Sequence, residues 1–302
     1  MILASSTYNM YAKSLAGALS PLSLLFLSEL LTLLFLLISF GVIPIVQHLR
    51  ALERNRYLPL LWVGILSGTT APLLWFSGLH MTSAVNANLF GNAEMVFLIL
   101  LAVLVLGERW TAGHAIAGSI IMAGIAVVAL HGATEGIALH TGDALILLGS
   151  CTFSLGSITF RKYLHQLEPQ IVIFVRSVTA LTVFFLLSPF LQHSLVEDVR
   201  HFPLTLITAL IGFGFIARFL NIFAFYGAIE RLPVSLVSLF ASLSVITGVL
   251  FAHWYLAEPI FWYHILGGGL ILVGSLFLET LGIHPSEKHL EHHLEQHHHH
   301  RP

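Results

Sequence analysis

Four ionisable residues lie deep inside long apolar runs: Glu29, Glu94, Arg176 and Arg218. At the centre of a membrane helix such a group costs on the order of 2.5–3.5 kcal/mol on insertion scales, so each is expected to face water or an opposite charge. Two readings follow. Glu29 pairs with Arg176 and Glu94 with Arg218 as buried structural ion pairs, or at least one of the four touches a ligand or carries a coupling proton, Glu94 being the candidate for the proton. Arginine forks hold carboxylates and phosphates bidentately. Carboxylates and arginines together can therefore grip a zwitterion at both ends.

Neutral polar groups extend this set. Asn86, Asn88, Asn92 and Glu94 load one apolar run with polarity on two faces, since Asn88 and Asn92 share a face at i, i+4 while Glu94 points elsewhere. One face is expected to line a cavity and the other to bond a neighbouring helix; the alternative is that the asparagines only join helices. Arg218, Asn221 and Phe225 form one stripe at i, i+3, i+7. Trp75 is the counterpart of Phe225 in the repeat described below, so the two aromatics either bracket a cavity or serve packing.

The elements that position these groups are helices. Only 9% of the 302 residues are charged and 57% are hydrophobic, with a mean hydropathy of +0.88, which places the chain among integral membrane proteins. About 20 apolar residues cross about 30 Å of hydrocarbon. Ten such runs are read: 2–18, 22–46, 57–80, 84–106, 111–130, 143–164, 170–192, 202–226, 234–257 and 259–281. No short alternating strands of a barrel are visible, so the expected fold is all-α and polytopic.

The second five runs repeat the first five. Gly64, Glu108, His114, Gly118 and Gly124 recur 150 residues later as Gly214, Glu258, His264, Gly268 and Gly274. Five is odd, so the second copy is expected upside down, as two inverted five-helix repeats. The units are residues 1–131 and 143–281, joined by a periplasmic linker over 132–142 and followed by a histidine-rich cytoplasmic tail over 282–302. Pro21 aligns with Pro169, which pairs Ser28-Glu29 with Arg176-Ser177; Glu94 corresponds to Ser244 and Arg218 to Gly68. None of the four intramembrane charges has a charged counterpart. The same alignment sets Met1 opposite Gly149 or Ser150, so the first run is expected to lack its opening turns, either because the start lies upstream or because a short first span suffices.

Arg50, Arg54, Arg56, Arg109, Arg161, Lys162 and Arg231 fall on one side of this ladder. The positive-inside rule makes that side cytoplasmic, together with both termini; the compact build points to a bacterial inner membrane. Glu108 and Glu258 precede the fifth and tenth runs and are expected to favour the N-termini of the helices that follow them. His114 and His264 read as hydrogen-bonded scaffold. The glycines of the fifth and tenth runs, Gly267-Gly268-Gly269 included, permit close packing or the formation of a homodimer. One cysteine, Cys151, excludes an intramolecular disulfide and a multi-cysteine metal site.

His289, His292 and His293 would share a helical face and could take a divalent metal. They also read as disordered tail, and His297 to His300 as part of a purification tag. No metalloprotease helix, nucleophile elbow or phosphate loop is present, and neither a cofactor nor a nucleic-acid partner is expected.

The run from Glu94 to Leu106-Gly107-Glu108, followed by Gly118 and Gly124, and its second copy Tyr255-Leu256-Ala257-Glu258 with Gly268 and Gly274, resembles the drug/metabolite transporter superfamily in its EamA-type ten-helix branch. Lys13 before Ser20-Pro21 and Arg161-Lys162 before Glu168-Pro169 fit the same pattern. Met95 and Val245 stand where such proteins often carry proline, and the second run lacks their arginine. The resemblance implies a secondary carrier, more often an exporter, of small polar metabolites such as amino acids or their derivatives. Efflux of lipophilic or cationic drugs is the alternative transport reading, and a metal-responsive membrane protein built on the histidine tail is the reading from another class.

Overall fold

The computed structural model describes residues 2–107, 111–131, 140–164, 167–190, 194–224, 234–278 and 280, and the side chains of all of these except 131 and 234–242. Its regular elements are all helical. In chain order they are α1 (Ile2–Ala16), α2 (Pro21–Phe40) and α3 (Val42–Arg50), α4 (Arg54–Met81) and α5 (Ala84–Leu106), α6 (Ala112–His131), α7 (Thr141–Tyr163), α8 (Pro169–Leu187) and α9 (Leu195–Arg200), α10 (Leu204–Ala224), α11 (Val234–Leu256) and α12 (Trp262–Leu278). Among the described residues seven are long and apolar enough to cross a membrane: α2, α4, α5, α6, α7, α8 and α10. α1, at 15 residues, falls short of the roughly 20 needed, and α12 is a shorter apolar helix.

Local chemistry sets the boundaries. Ser20 caps α2 by accepting from the Ser23 N–H at 3.3 Å, with Pro21 in the first turn. The run expected to continue to Val46 instead breaks at Gly41, whose φ of +76° is open to glycine; the chain restarts there as the short α3. Ser83 caps α5 through the Asn86 N–H at 3.0 Å. α5 loosens at Gly91-Asn92, where a Cβ would lie 2.5 Å from the Trp75 ring. α4 and α10 each contain a π-helical stretch, Gly64–Thr70 and Phe213–Leu220.

Glycine contacts bring the helices together. A Cβ at Gly78 would sit 2.6 Å from the Gly142 carbonyl and one at Gly142 would sit 2.8 Å from that of Gly78, so α4 and α7 touch backbone to backbone. α6 packs on α12 the same way, with Gly124 against Gly267 O and Ile271, and Gly274 against Ala117 O and Ile121. These glycines thus serve packing inside one chain. Gly64 abuts Thr179 of α8, and Gly214 abuts Leu31 of α2. The main core gathers Phe76, Phe90 and Phe213 with leucines of α1 and α2, and a second core joins Leu36, Ile45, Leu60, Leu164 and Ile171.

Contacts define two ends. At one, Lys162 Nζ reaches the Val105 carbonyl at 3.2 Å and His48 lies 3.7 Å from Glu168; this end carries Arg50, Arg54 and Arg56. At the other, Ser20 meets Asp198 at 2.7 Å and His80 meets the Leu19 carbonyl at 2.9 Å.

Candidate functional site

Glu29, Arg176 and Arg218 are all buried, and of the three only Glu29 and Arg218 pair with each other among the described residues. They come from α2, α8 and α10 and are 2%, 7% and 2% exposed. The partners differ from the expected ones. Glu29 forms its ion pair with Arg218 and accepts a hydrogen bond from Ser177 Oγ at 2.7 Å. Arg218 donates to Tyr8 Oη at 3.1 Å and stands 5.9 Å from the centre of that ring, which is itself packed against Phe76 and Phe213. Among the described residues Arg218 Nε has no acceptor.

Arg176 turns instead to a backbone carbonyl, donating to Ser67 O at 2.9 Å. The wide turn of α4 explains why that oxygen is available. The Ala71 N–H bonds to Leu66 O, five residues back. In the same register Ser67 O would take the N–H of residue 72, which is proline and has none. A buried carbonyl without a partner is costly, and the guanidinium satisfies it. Gly68 makes the approach possible, since a Cβ there would lie 3.0 Å from the Arg176 carbonyl.

Glu94 stands apart from this cluster. It is partly exposed on α5, Ser154 Oγ donates to its backbone carbonyl at 3.0 Å, and among the described residues its carboxylate takes no hydrogen bond or ion pair. The expected Glu94–Arg218 pair is replaced by Glu29–Arg218.

The asparagines join helices. Trp75 Nε1 donates to Asn9 Oδ1 at 2.8 Å, and Asn9 Nδ2 donates to Asn88 Oδ1 at 2.9 Å, which ties α4, α1 and α5 in one chain of bonds. Asn92 donates to the Asn88 carbonyl on its own helix at 2.9 Å. Asn221 is partly buried, and its side chain makes no hydrogen bond among the described residues. Phe225, Glu108, Arg231 and the histidines 289, 292 and 293 lie outside the described residues.

A second polar cluster closes the end opposite the arginines. Lys13 Nζ donates to the Leu79 and Thr82 carbonyls at 2.7 and 2.5 Å, completing the C-terminus of α4. Thr82 Oγ1 donates to Asp143 at 2.5 Å. Glu258 does not serve α12, the helix that follows it. Its two oxygens accept the Ala84 and Val85 N–H groups, each at 2.9 Å, at the start of α5. Ala257, with φ +54°, turns the chain just before it, and the free N–H groups of α5 attract the carboxylate. His264 Nδ1 accepts the Phe261 N–H at 3.1 Å, so Nε2 carries the proton facing Asn86 Oδ1 at 3.1 Å. These links surround a cavity of about 290 Å³. A cavity of about 650 Å³ lies at the arginine-rich end, and neither includes the Glu29–Arg218 pair.

Asn9, Tyr8, Ser67, Thr82 and Asp143 carry no mark in the sequence beyond being polar or aromatic among apolar neighbours. Ser177 does carry one, as the repeat counterpart of Glu29.

Spanning helices and charges buried between them define an integral, polytopic membrane protein. The EamA-like transporter family matches residues 1–130 and 140–280, and the chain belongs to that family, one of transporters rather than enzymes. An uncharacterized transporter of Methanothermobacter thermautotrophicus is 28% identical over 233 residues, 75% of this chain and 65% of the relative's length. An uncharacterized transporter of Synechocystis is 24% identical over 272 residues, 86% of this chain and 76% of the relative's. A crystal structure with 17% identity superimposes with a TM-score of 0.60 across 93% of this chain and 94% of that one, which shows a shared fold.

Proposed function

We propose that the chain is a secondary transporter that exports small polar metabolites carrying both a carboxylate and an amine, such as amino acids or their derivatives. The observation that carries this reading is the Glu29–Arg218 pair: opposite charges held together in the apolar interior, with Arg218 Nε lacking an acceptor among the described residues. A substrate carboxylate complements Arg218, and its ammonium complements Glu29. The lipophilic-cation reading is weaker because an arginine stands beside the only buried carboxylate of this cluster.

The proposed architecture is ten spans in two inverted five-helix repeats, 1–131 and 143–281, with termini and the arginine-rich end in the cytoplasm of a bacterial cell. Matched contacts support it. Gly64 meets Thr179 as Gly214 meets Leu31, Gly124 meets Ile271 as Gly274 meets Ile121, and Glu29 meets Ser177, its own counterpart. Alternating access is then one repeat rocking on the other. The links from Glu258, Asp143 and His264 to the α4–α5 turn join the two halves at the end away from the arginines, and they must break for the site to open there. Glu94 is the proposed proton carrier if transport is proton-coupled.

Wild type, Arg218→Lys and Glu94→Gln, expressed at matched membrane levels, are compared by mass spectrometry of medium and cytoplasm. Wild type is expected to shift a small set of amino-acid-like compounds outward and Arg218→Lys to lose that shift while remaining monodisperse in detergent. An unchanged export profile in Arg218→Lys removes Arg218 from recognition; no shift by wild type removes the substrate class.

A further inference from the structure

The cavity of about 650 Å³ at the arginine-rich end lies between the start of α4 and the end of α7. It shares no residue with the buried ion cluster, and its lining is of two kinds. Arg56 and Lys162, with Asn55, supply a polar rim; Leu58, Trp62 and Tyr163 supply an apolar wall, each about half exposed or more.

The donors of the rim are only partly used. Glu53, mostly in solvent, meets Arg56 at Nε, 3.5 Å away, which leaves the two terminal nitrogens of the guanidinium unbonded among the described residues. Lys162 gives one hydrogen to the Val105 carbonyl at 3.2 Å and sits 5.5 Å from the centre of the Tyr163 ring, so two of its three N–H donors remain. Asn55 is exposed and makes no side-chain bond among the described residues. Two cations against one carboxylate leave the lining with one net positive charge.

The wall identifies the medium. Trp62 and Tyr163 are the amphipathic rings that gather at headgroup depth, and Leu58 and Leu61 on the same stretch of α4 are exposed, as suits residues in contact with acyl chains. A soluble anion would use the rim and waste the wall. A zwitterionic lipid would bring its own cation against Arg56 and Lys162.

We propose that this cavity binds the headgroup of a singly charged anionic glycerophospholipid, its phosphate between Arg56 and Lys162 and its acyl chains on the α4–α7 flank. A guanidinium fork and an ammonium on one phosphate give charge-assisted hydrogen bonds from two helices, and basic pockets between membrane helices are suited to such headgroups. The bound lipid joins the start of α4 to the end of α7.

The test uses the purified full chain in neutral detergent. Native mass spectrometry with equal amounts of phosphatidylglycerol and phosphatidylcholine of the same acyl chains measures preference, and thermal unfolding measures stabilisation by each lipid and by inorganic phosphate. Phosphatidylglycerol is expected to be retained preferentially and to raise the midpoint. Affinity is expected to fall about fivefold for each cation removed in Arg56→Gln and Lys162→Gln and to persist in Lys162→Arg. Equal retention of the two lipids by wild type overturns the proposal whether or not a variant folds. So does a folded double variant that responds like wild type. Stabilisation by inorganic phosphate equal to that by the lipid makes the ligand a soluble anion and overturns the lipid assignment.

Discussion

The π-helical stretches of α4 and α10 occupy the same place 150 residues apart and do different chemistry. Both begin beside a glycine that lets a neighbouring helix in, Gly64 for Thr179 and Gly214 for Leu31. At the next matched position the two part. α4 has Gly68, the Arg176 backbone closes on it, and the guanidinium satisfies a carbonyl that Pro72 leaves without a donor. α10 has Arg218, which supplies a cation of its own to Glu29. Two similar π-helical stretches thus do different work: one fastens two helices and the other holds opposite charges in an apolar interior.

The largest expected effect tests that contrast. Arg218→Ala leaves the Glu29 carboxylate buried without its cation and should cost about 3–5 kcal/mol, read as loss of monodisperse protein or a steep drop in unfolding midpoint. Glu29→Gln with Arg218→Gln should recover much of it. Arg176→Ala leaves one carbonyl without a donor and should cost about 1–3 kcal/mol. Equal losses for the two arginines would erase the distinction. Restoring an N–H with Pro72→Ala sharpens it: in that background Arg176→Ala should cost less, by roughly 0.5–1.5 kcal/mol in a double-mutant cycle.

Gly68→Ala comes next, at about 1–3 kcal/mol, because the contact is backbone and cannot rotate away. A neutral result in thermal unfolding would mean that α4 and α8 are not held at this separation. At the far end, Glu258→Gln keeps one acceptor for the start of α5 but loses the charge, at about 0.5–2 kcal/mol. Because that link joins the two proposed halves, labelling of a cysteine placed at Ala84 should become faster in the variant; unchanged labelling would make Glu258 a cap alone. Glu94→Gln should change stability least, by under about 0.5 kcal/mol, since its carboxylate has no partner among the described residues. Its effect is sought in export: if Glu94 carries a coupled proton, the variant's rate should stop responding to external pH, and a pH response like that of wild type removes that role.

Much of the frame is legible in the sequence. Apolar runs mark the helices, and the recurring glycines of the fifth and tenth runs mark where helices press together. The buried charges were legible as a set, but their pairing was not. On the reading of buried ion pairs Glu29 meets Arg176 and Glu94 meets Arg218; in the structure Glu29 lies against Arg218, and among the described residues Glu94 pairs with neither arginine. Glu258 was expected at the helix after it and caps α5.

The sequence by itself determined helix positions, the membrane as solvent, and the duplicated landmarks, because apolar length and local capping depend on neighbours along the chain. Only the tertiary structure decided which charge meets which. That choice depends on the rotation and axial shift of each helix against the next, set by contacts such as Gly64 on Thr179 and Gly68 on Arg176 between residues more than a hundred positions apart.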